Sequence, residues 1–218
     1  MTRIWMAGGA AALLTGCAAL IHHGKYDPKA FAPWRIAQDK KIEGRALILS
    51  TARDDGLAYS GHPPGMAGVA TSQVLPFGVI IREAAKRVLG DLFLGGADTS
   101  NDASHLEGYR AVVVPRFSDF VYRVRIFGTS QLDLSVHVAL LDARGQAVFE
   151  QNYDSGWEDV PPQERADPTL IDRAAHVAAQ RVMLQAAADV RDWLLAHSPL
   201  SGEPPRGAES PGPGAASP

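Results

Sequence analysis

The stretch QLDLSVHVALLDARGQAVFEQ, residues 131–151, decides the fold of this chain. Its first half alternates strictly, with every second residue apolar: Leu132, Leu134, Val136, Val138 and Leu140. A period of two is typical of a strand that buries one face and exposes the other. The tetrapeptide Asp142-Ala143-Arg144-Gly145 then offers turn residues, including a glycine that can adopt a positive φ, before residues 146–153 continue as a return strand. The stretch therefore predicts a β-hairpin.

Two more stretches with strand character precede the hairpin. Residues 109–126, YRAVVVPRFSDFVYRVRI, are rich in β-branched and aromatic residues, although Pro115 removes a ladder donor from their middle. An edge strand, a bulge or two shorter strands would each accommodate this proline. Residues 45–50, RALILS, form a short apolar strand near the start of the domain. The sheet is thus predicted to have about four strands.

Two helices complete the predicted inventory. Residues 76–93 place apolar side chains on one broad face and end at a glycine pair. The second helix starts with Asp167 as N-cap and Pro168 as its first residue, and it continues to about His197. Small residues on one side would let this helix lie close to a sheet. The order of elements predicts an α+β fold, a mostly antiparallel sheet of about four strands with two helices packed on one face.

The N-terminus carries the features of an export signal. Residues 1–3, MTR, are a short cationic segment, and residues 4–14 are apolar but too few to span a bilayer, which needs about 20. The segment Leu14-Thr15-Gly16-Cys17 follows and resembles the lipobox of bacterial lipoproteins. In that family a peptidase cuts before the cysteine after lipid has been attached to its sulfur. An ordinary secretory signal with a chance cysteine is the alternative interpretation.

The resemblance makes Cys17 the expected lipidation site. As in the family, its sulfur would carry a diacylglyceryl thioether and its amino group an acyl chain, and this covalent lipid is the only cofactor expected. Several acyl chains hold a protein firmly on a membrane, at about 0.8 kcal/mol for each buried methylene. Ala18 stands where an aspartate would favour retention in the inner membrane. The expected location is therefore the outer membrane, with the domain facing the periplasm.

Composition divides the chain into four segments. Residues 1–16 are the predicted signal peptide, and residues 17–41 are a lipidated tether whose aromatic side chains pack on the domain or sit at the lipid interface. Those aromatic residues are Tyr26, Phe31 and Trp34. Residues 42–197 have the length of a single domain. Residues 198–218 are rich in Pro, Gly, Ser and Ala, which predicts a disordered tail or, alternatively, a spacer.

Charge and composition exclude several functions. The chain has 21 Lys and Arg against 24 Asp and Glu, for a formal net charge of −3, and it has no run of basic residues. Nucleic acid is therefore not an expected partner, and the membrane is expected to be reached through the lipid alone. The single cysteine forms neither an internal disulfide nor a cysteine-based zinc site.

No metal site is predicted. His176 has no second histidine at ligand spacing on its helix, and His22-His23 are interpreted as interfacial polar residues. Residues 95–102, GGADTSND, are rich in oxygen atoms but lack both the lysine of a P-loop and the spacing of an EF-hand. They are predicted to form a flexible loop.

One face of the first hairpin strand carries the residue types of a hydrolytic triad, Asp133, Ser135 and His137. At about 3.3 Å per residue, Asp133 and His137 lie about 13 Å apart and Ser135 lies about 7 Å from His137. A nucleophile and its base need heavy atoms about 2.6–3.2 Å apart. The three residues are therefore interpreted as a solvent-facing polar face, and no catalytic residue is predicted.

Trp157 is the residue predicted to contact a partner. It follows the hairpin directly and precedes the acidic, proline-bearing segment EDVPPQERADP, residues 158–168. Tryptophan is enriched at binding hot spots. The alternative is that Trp157 covers the open end of the sheet.

The order of strand, helix, hairpin and closing helix over residues 45–195 is similar in pattern to small periplasmic lipoproteins of transport-auxiliary and envelope-assembly type. This resemblance brings no residue-level motif, and so implies no active site. The predicted function is a non-catalytic accessory, scaffold or binding component of the cell envelope, anchored through Cys17 and acting with an envelope protein partner. The alternative is a small periplasmic hydrolase or ligand-binding lipoprotein with a pocket between sheet and helices.

Overall fold

The computed structural model describes residues 20–61, 71–123, 130–160 and 169–197. The strands within these ranges are β1 (Leu20–His23), β2 (Ala46–Leu49), β3 (Tyr59–Gly61), β4 (Thr71–Leu75), β5 (Ala97–Ser100), β6 (Ala111–Arg123), β7 (Ser130–Leu141), β8 (Ala147–Asp154) and β9 (Glu158–Val160). The helices are α1 (Ala52–Asp55), α2 (Phe77–Leu92) and α3 (Thr169–His197), and a 3-10 turn covers Gln38–Lys40. The predicted α+β class is confirmed.

The strands form two sheets. The larger sheet has six strands, with β5-β2-β6-β7-β8 in that order and β9 paired with β7. β2 runs parallel to β5 and β6, whereas the pairs of β7 with β6, β8 and β9 are antiparallel. The smaller sheet has the order β1-β4-β3, with β1 parallel to β4. The four predicted strands correspond to β2, β6, β7 and β8, and the short strands and parallel pairs add to them.

The parallel pairing of β2 with β5 depends on α2. Parallel neighbours need a crossover connection of a dozen or more residues, and α2 lies in the connection between these two strands. The prediction of a flexible loop over residues 95–102 is therefore wrong for Ala97–Ser100, which form β5 at the edge of the sheet. This short polar strand has no apolar alternation by which the sequence could reveal it.

The predicted hairpin is confirmed as β7 and β8. Its five alternating apolar residues are each exposed by 1% or less: Leu132, Leu134, Val136, Val138 and Leu140. In the turn, the Asp142 side chain accepts hydrogen bonds from the backbone N–H groups of Arg144 at 2.8 Å and Gln146 at 2.9 Å. Gly145 has a φ of +76°, a left-handed conformation that favours glycine.

Pro115 lies inside β6, a strand with neighbours on both sides. β7 pairs along β6, with Pro115 opposite Val138. On the other side, β2 pairs with β6 only at Ala111, Val112 and Val113, so the β2–β6 ladder ends before the proline. An irregularity in register follows between Phe117 and Asp119. Of the alternatives that the sequence left open, an interior bulge close to the proline is the one observed.

The two long helices pack against the larger sheet and form one hydrophobic core with it. α2 contributes Phe77, Ile80, Ile81, Ala84, Ala85, Val88, Leu89 and Leu92, each exposed by 1% or less. Four alanines of α3 are as deeply buried, which brings the helix backbone close to its neighbours: Ala175, Ala178, Ala179 and Ala186. A smaller cluster lies apart from this core and includes Leu47, Leu49, Leu106, Val112, Val114 and Ala139.

The helix bounds agree with the sequence pattern. α2 covers residues 77–92 against a predicted 76–93, and α3 ends at His197 as predicted. Asp167 and Pro168, the predicted start of α3, lie outside the described residues. Among the helices described, none combines the length and apolar character needed to cross a bilayer.

Candidate functional site

Helix α3 carries three polar side chains within its buried surface. Asp172, His176 and Gln180 are four residues apart, which places them on one face of the helix. Their exposed fractions are 9%, 0% and 4%. We call these three residues the polar stripe. All three bind the segment that begins with β1 and precedes β2.

Asp172 binds the end of β1. Its Oδ1 lies 3.1 Å from Nε2 of His22, and its Oδ2 accepts the backbone N–H of Lys25 at 3.3 Å. Between these two residues, a Cβ at Gly24 would lie 2.7 Å from Oδ1 of Asp172 and 2.6 Å from Cδ2 of Leu75. Glycine is therefore the one residue that fits at position 24 without a shift of its neighbours.

His176 is hydrogen-bonded through both ring nitrogens. Nε2 accepts the backbone N–H of Asp27 at 3.0 Å, and Nδ1 lies 2.6 Å from the carbonyl oxygen of Asp172. Because a carbonyl oxygen only accepts, these partners assign the proton to Nδ1 of a neutral ring. Burial lowers the pKa of His176, although the Asp172 carbonyl and the charges of Asp172 and Asp27 oppose this shift. The rings of Tyr26 and Phe31 lie 5.7 and 5.0 Å from the imidazole.

Gln180 makes two hydrogen bonds to the backbone of Ala32, which lies further along the same segment. Its Oε1 accepts the Ala32 N–H at 2.8 Å, and its Nε2 donates to the Ala32 carbonyl at 2.9 Å. Further along, Asp91 of α2 accepts the Ile36 N–H at 2.5 Å and binds Nζ of Lys41 at 2.9 Å. Of the aromatic residues in this segment, Phe31 is buried and two are partly buried against the core: Tyr26 and Trp34. The described part of the predicted tether is therefore held on both long helices.

A surface cleft of about 830 Å³ opens beside the polar stripe. It lies between β1, the turn that follows β1, and the first described residues of α3. Its basic side chains are His22, His23, Lys25, Lys29 and Arg173. The two carboxylates that line it have partners, since Asp172 binds His22 and Asp27 accepts the Lys29 N–H at 2.9 Å. We call this feature the β1–α3 cleft.

The three β7 residues with triad chemistry bind three different groups. Ser135 donates its hydroxyl to Asp154 on β8, and Asp133 accepts the hydroxyl of Ser155 at 3.1 Å. His137 lies 3.9 Å from Glu150, again across to β8. The strand thus separates the three residues, as its geometry predicts.

Trp157 lies just before β9 with one face covered. The guanidinium carbon of Arg123, the last residue of β6, lies 4.0 Å from the centroid of its ring. A cation at this distance from an indole is attracted by the ring electrons. The side chain is still 39% exposed, and Glu158 beside it pairs with Arg181 at 2.7 Å. A role of Trp157 in partner contact stays a prediction.

The residues of the predicted lipobox, Leu14, Thr15, Gly16 and Cys17, lie outside the described residues, as does the predicted tail. Within residues 20–61, 71–123, 130–160 and 169–197, no three His, Cys, Asp or Glu side chains come together as a set that could hold a metal ion. The sequence pattern missed the polar stripe as a unit. Its signal was a polar residue at every fourth position of an alanine-rich helix, Asp172, His176 and Gln180.

No model of a known protein family matches the chain, and no curated protein is similar to it in sequence. Among solved structures, it is similar to a DUF330 protein from Xanthomonas campestris, at 10% identity and a TM-score of 0.49, over 82% of this chain and 95% of that one. A hypothetical protein from Chlamydia trachomatis shares 12% identity and a TM-score of 0.45, over 71% and 99% of the two chains.

An uncharacterised lipoprotein from Nitrosomonas europaea shares 15% identity and a TM-score of 0.36, over 76% of this chain and 97% of that one. The solved structures that resemble this chain thus include a lipoprotein. At these identities and TM-scores, none of the similarities assigns a function to it.

Proposed function

We propose that this chain is a lipoprotein, anchored through Cys17 in the outer membrane and facing the periplasm, with a non-catalytic role as an accessory or scaffold of the cell envelope. The observation that carries the proposal is the segment Leu14-Thr15-Gly16-Cys17 at the end of a short apolar stretch. The Ala18 that follows supports sorting to the outer membrane.

The position of β1 supports an anchor that holds the domain close to the membrane. Leu20 is already paired with Thr71 of β4, and it follows Cys17 by only three residues. Three residues span at most about 11 Å when fully extended. Ile21 is 56% exposed, an apolar side chain beside the expected anchor. Confinement at a membrane surface raises the effective concentration of the domain toward partners there.

The packing of the interior supports an accessory role. The alternative, a hydrolase or ligand-binding protein, would need a pocket between the sheet and the helices. The inward side chains of β7 and of α2 are exposed by 1% or less and belong to one continuous core. The Asp, Ser and His residues of β7 each face a separate neighbour, and Ser135 donates to Asp154 and not to His137, so the three do not form a triad.

Replacing Cys17 with serine tests the anchor. We expect wild-type protein to fractionate with membranes, with a mass increase on its N-terminal peptide that matches a diacylglyceryl thioether, and the Cys17→Ser protein to keep its signal peptide and carry no lipid. The measurement is mass spectrometry of the N-terminal peptide after membrane fractionation. A Ser50→Ala variant, which keeps Cys17, serves as the processing control. An unlipidated wild-type peptide that begins at another residue would contradict the proposal.

A photo-crosslinking residue at position 157 tests the proposed partner contact of Trp157. In intact cells we expect it to form a discrete crosslinked species of higher mass, because Trp157 is exposed beside the cationic Arg123. Val148 on β8 has a similar exposed fraction, 40% against 39%, and is the matched control position. The same species from both positions, or none from either, would argue against a specific contact at Trp157.

A further inference from the structure

The β1–α3 cleft concentrates positive charge on a chain that is acidic as a whole. Lys25, Lys29 and Arg173 line it, and all three are exposed. None of the three side chains forms an ion pair within the part of the chain that the structure describes. The chain carries a formal net charge of −3, so an excess of cations in one cleft is a local feature.

Two carboxylates, Asp27 and Asp172, also line the cleft, so its three cations leave a formal excess of one positive charge. Asp172 is 9% exposed and its two oxygens already bind His22 and the Lys25 N–H. Asp27 accepts the N–H of Lys29, which fixes the turn that presents both lysines. His23 adds an imidazole to the lining, whereas Nε2 of His22 is already bound to Asp172. Ammonium, guanidinium and imidazole donors together suit a phosphate group.

The cleft also lies within reach of a membrane surface. His22 follows Cys17 by five residues, which span at most about 18 Å. The headgroup region on each side of a bilayer is roughly 5–8 Å thick. This step rests on the lipid anchor proposed above, which holds the start of β1 at that surface.

We propose that the β1–α3 cleft binds the phosphate of an anionic phospholipid headgroup through Lys25, Lys29 and Arg173. The cleft then fixes the orientation of the domain on the membrane, whereas the acyl chains on Cys17 only hold it there. Its specificity is for a negatively charged headgroup over a zwitterionic one, because a choline or ethanolamine cation would face the three side-chain cations.

The proposal is tested by isothermal titration of the full chain, purified from whole cells in an uncharged detergent. The probes are dihexanoyl phosphatidylglycerol, dihexanoyl phosphatidylcholine and inorganic phosphate. We expect phosphatidylglycerol to bind, phosphatidylcholine not to bind, and inorganic phosphate to bind more weakly than phosphatidylglycerol. Equal binding of the two lipids overturns the proposal. Inorganic phosphate that binds as tightly as phosphatidylglycerol overturns the lipid as ligand and indicates a site for free phosphate.

Two triple variants give the matched comparison. Lys25→Gln/Lys29→Gln/Arg173→Gln should weaken binding of phosphatidylglycerol about 100-fold, at roughly fivefold for each cation removed. Arg53→Gln/Lys86→Gln/Arg144→Gln removes the same charge from exposed residues outside the cleft and should bind like wild type. Equal losses in the two variants overturn the cleft as the site. Because short-chain lipids are added in solution, this result does not depend on whether Cys17 carries a lipid.

Discussion

Replacing Gly78 with alanine is expected to lower the free energy of unfolding by about 3 kcal/mol, at the upper end of what overpacking usually costs. Gly78 lies in the first turn of α2, and its N–H donates to the carbonyl of Leu57 at 2.9 Å. A Cβ at this position would lie 2.0 Å from the carbonyl oxygen of Asp54 and 2.8 Å from that of Asp55. These atoms belong to the backbone of α1, so α1 must move away from α2 to admit the methyl group.

Gly90 provides the control within the same helix. A Cβ there would meet its nearest neighbour, the backbone N of Ala97, at 3.7 Å, which is an ordinary contact. Gly90→Ala should therefore raise stability by up to about 1 kcal/mol through helix propensity. Urea unfolding of the full chain, followed by circular dichroism, gives both values. A Gly78→Ala protein as stable as Gly90→Ala would show that α1 does not constrain α2.

This pair of glycines illustrates what the sequence could predict of the fold. Hydrophobic periodicity correctly predicted α2, and the strict alternation of residues 132–140 correctly predicted β7 and the hairpin. Periodicity does not distinguish Gly78 from Gly90, because their roles depend on a second element that packs on one of them. The sequence pattern does not predict the short strands β3, β5 and β9, for a related reason. Each has three or four residues, which are too few to show a hydrophobic period. Each is a strand because it pairs with a neighbouring strand.

The candidate site also combines features that a local sequence pattern predicts with features that depend on a distant part of the chain. The lipobox resemblance is a local motif, and Leu14-Thr15-Gly16-Cys17 can be found in the sequence without any structure. The polar stripe acts on residues about 150 positions away, with His176 bound to Asp27 and Gln180 bound to Ala32. In the sequence alone, His176 is a histidine with no second histidine at ligand spacing, and no role is predicted for it. Its actual partner is a backbone N–H, a group that every non-proline residue has and that no sequence pattern marks.

Acidification is expected to destabilise the folded chain through His176. Burial lowers the pKa of this ring below its ordinary value of 6.5, so the folded chain binds its proton less readily than the unfolded chain. The stabilising contribution is therefore complete above about pH 6.5 and is lost as the pH falls from there toward the folded pKa. The slope in this window approaches about 1.4 kcal/mol per pH unit for a single proton. Protonation also removes the acceptor at Nε2 that binds the Asp27 N–H.

Two substitutions separate titration from hydrogen bonding. His176→Phe keeps a ring against Tyr26 and Phe31 but loses both hydrogen bonds, which should cost about 2 kcal/mol at pH 7.5. His176→Gln keeps an acceptor for the Asp27 N–H and should cost less. Neither phenylalanine nor glutamine titrates. Below pH 6.5, the free energy of unfolding of both variants should therefore lose the part of its pH dependence that His176 contributes. His105→Gln changes an exposed histidine and should keep the wild-type slope.

The decisive measurement is the free energy of unfolding by urea at intervals between pH 5 and pH 8, in wild type and in the three variants. Hydrogen exchange of residues 22–32 at the same pH values reports where the loss occurs. If His176 controls the contact, the amides of Lys25, Asp27 and Ala32 should lose protection on acidification before those of β7 do, because each of the three donates to a side chain of α3. A slope that persists unchanged in His176→Phe would show that other groups carry the pH dependence. Uniform loss of protection in both regions would show that the segment and the sheet unfold together.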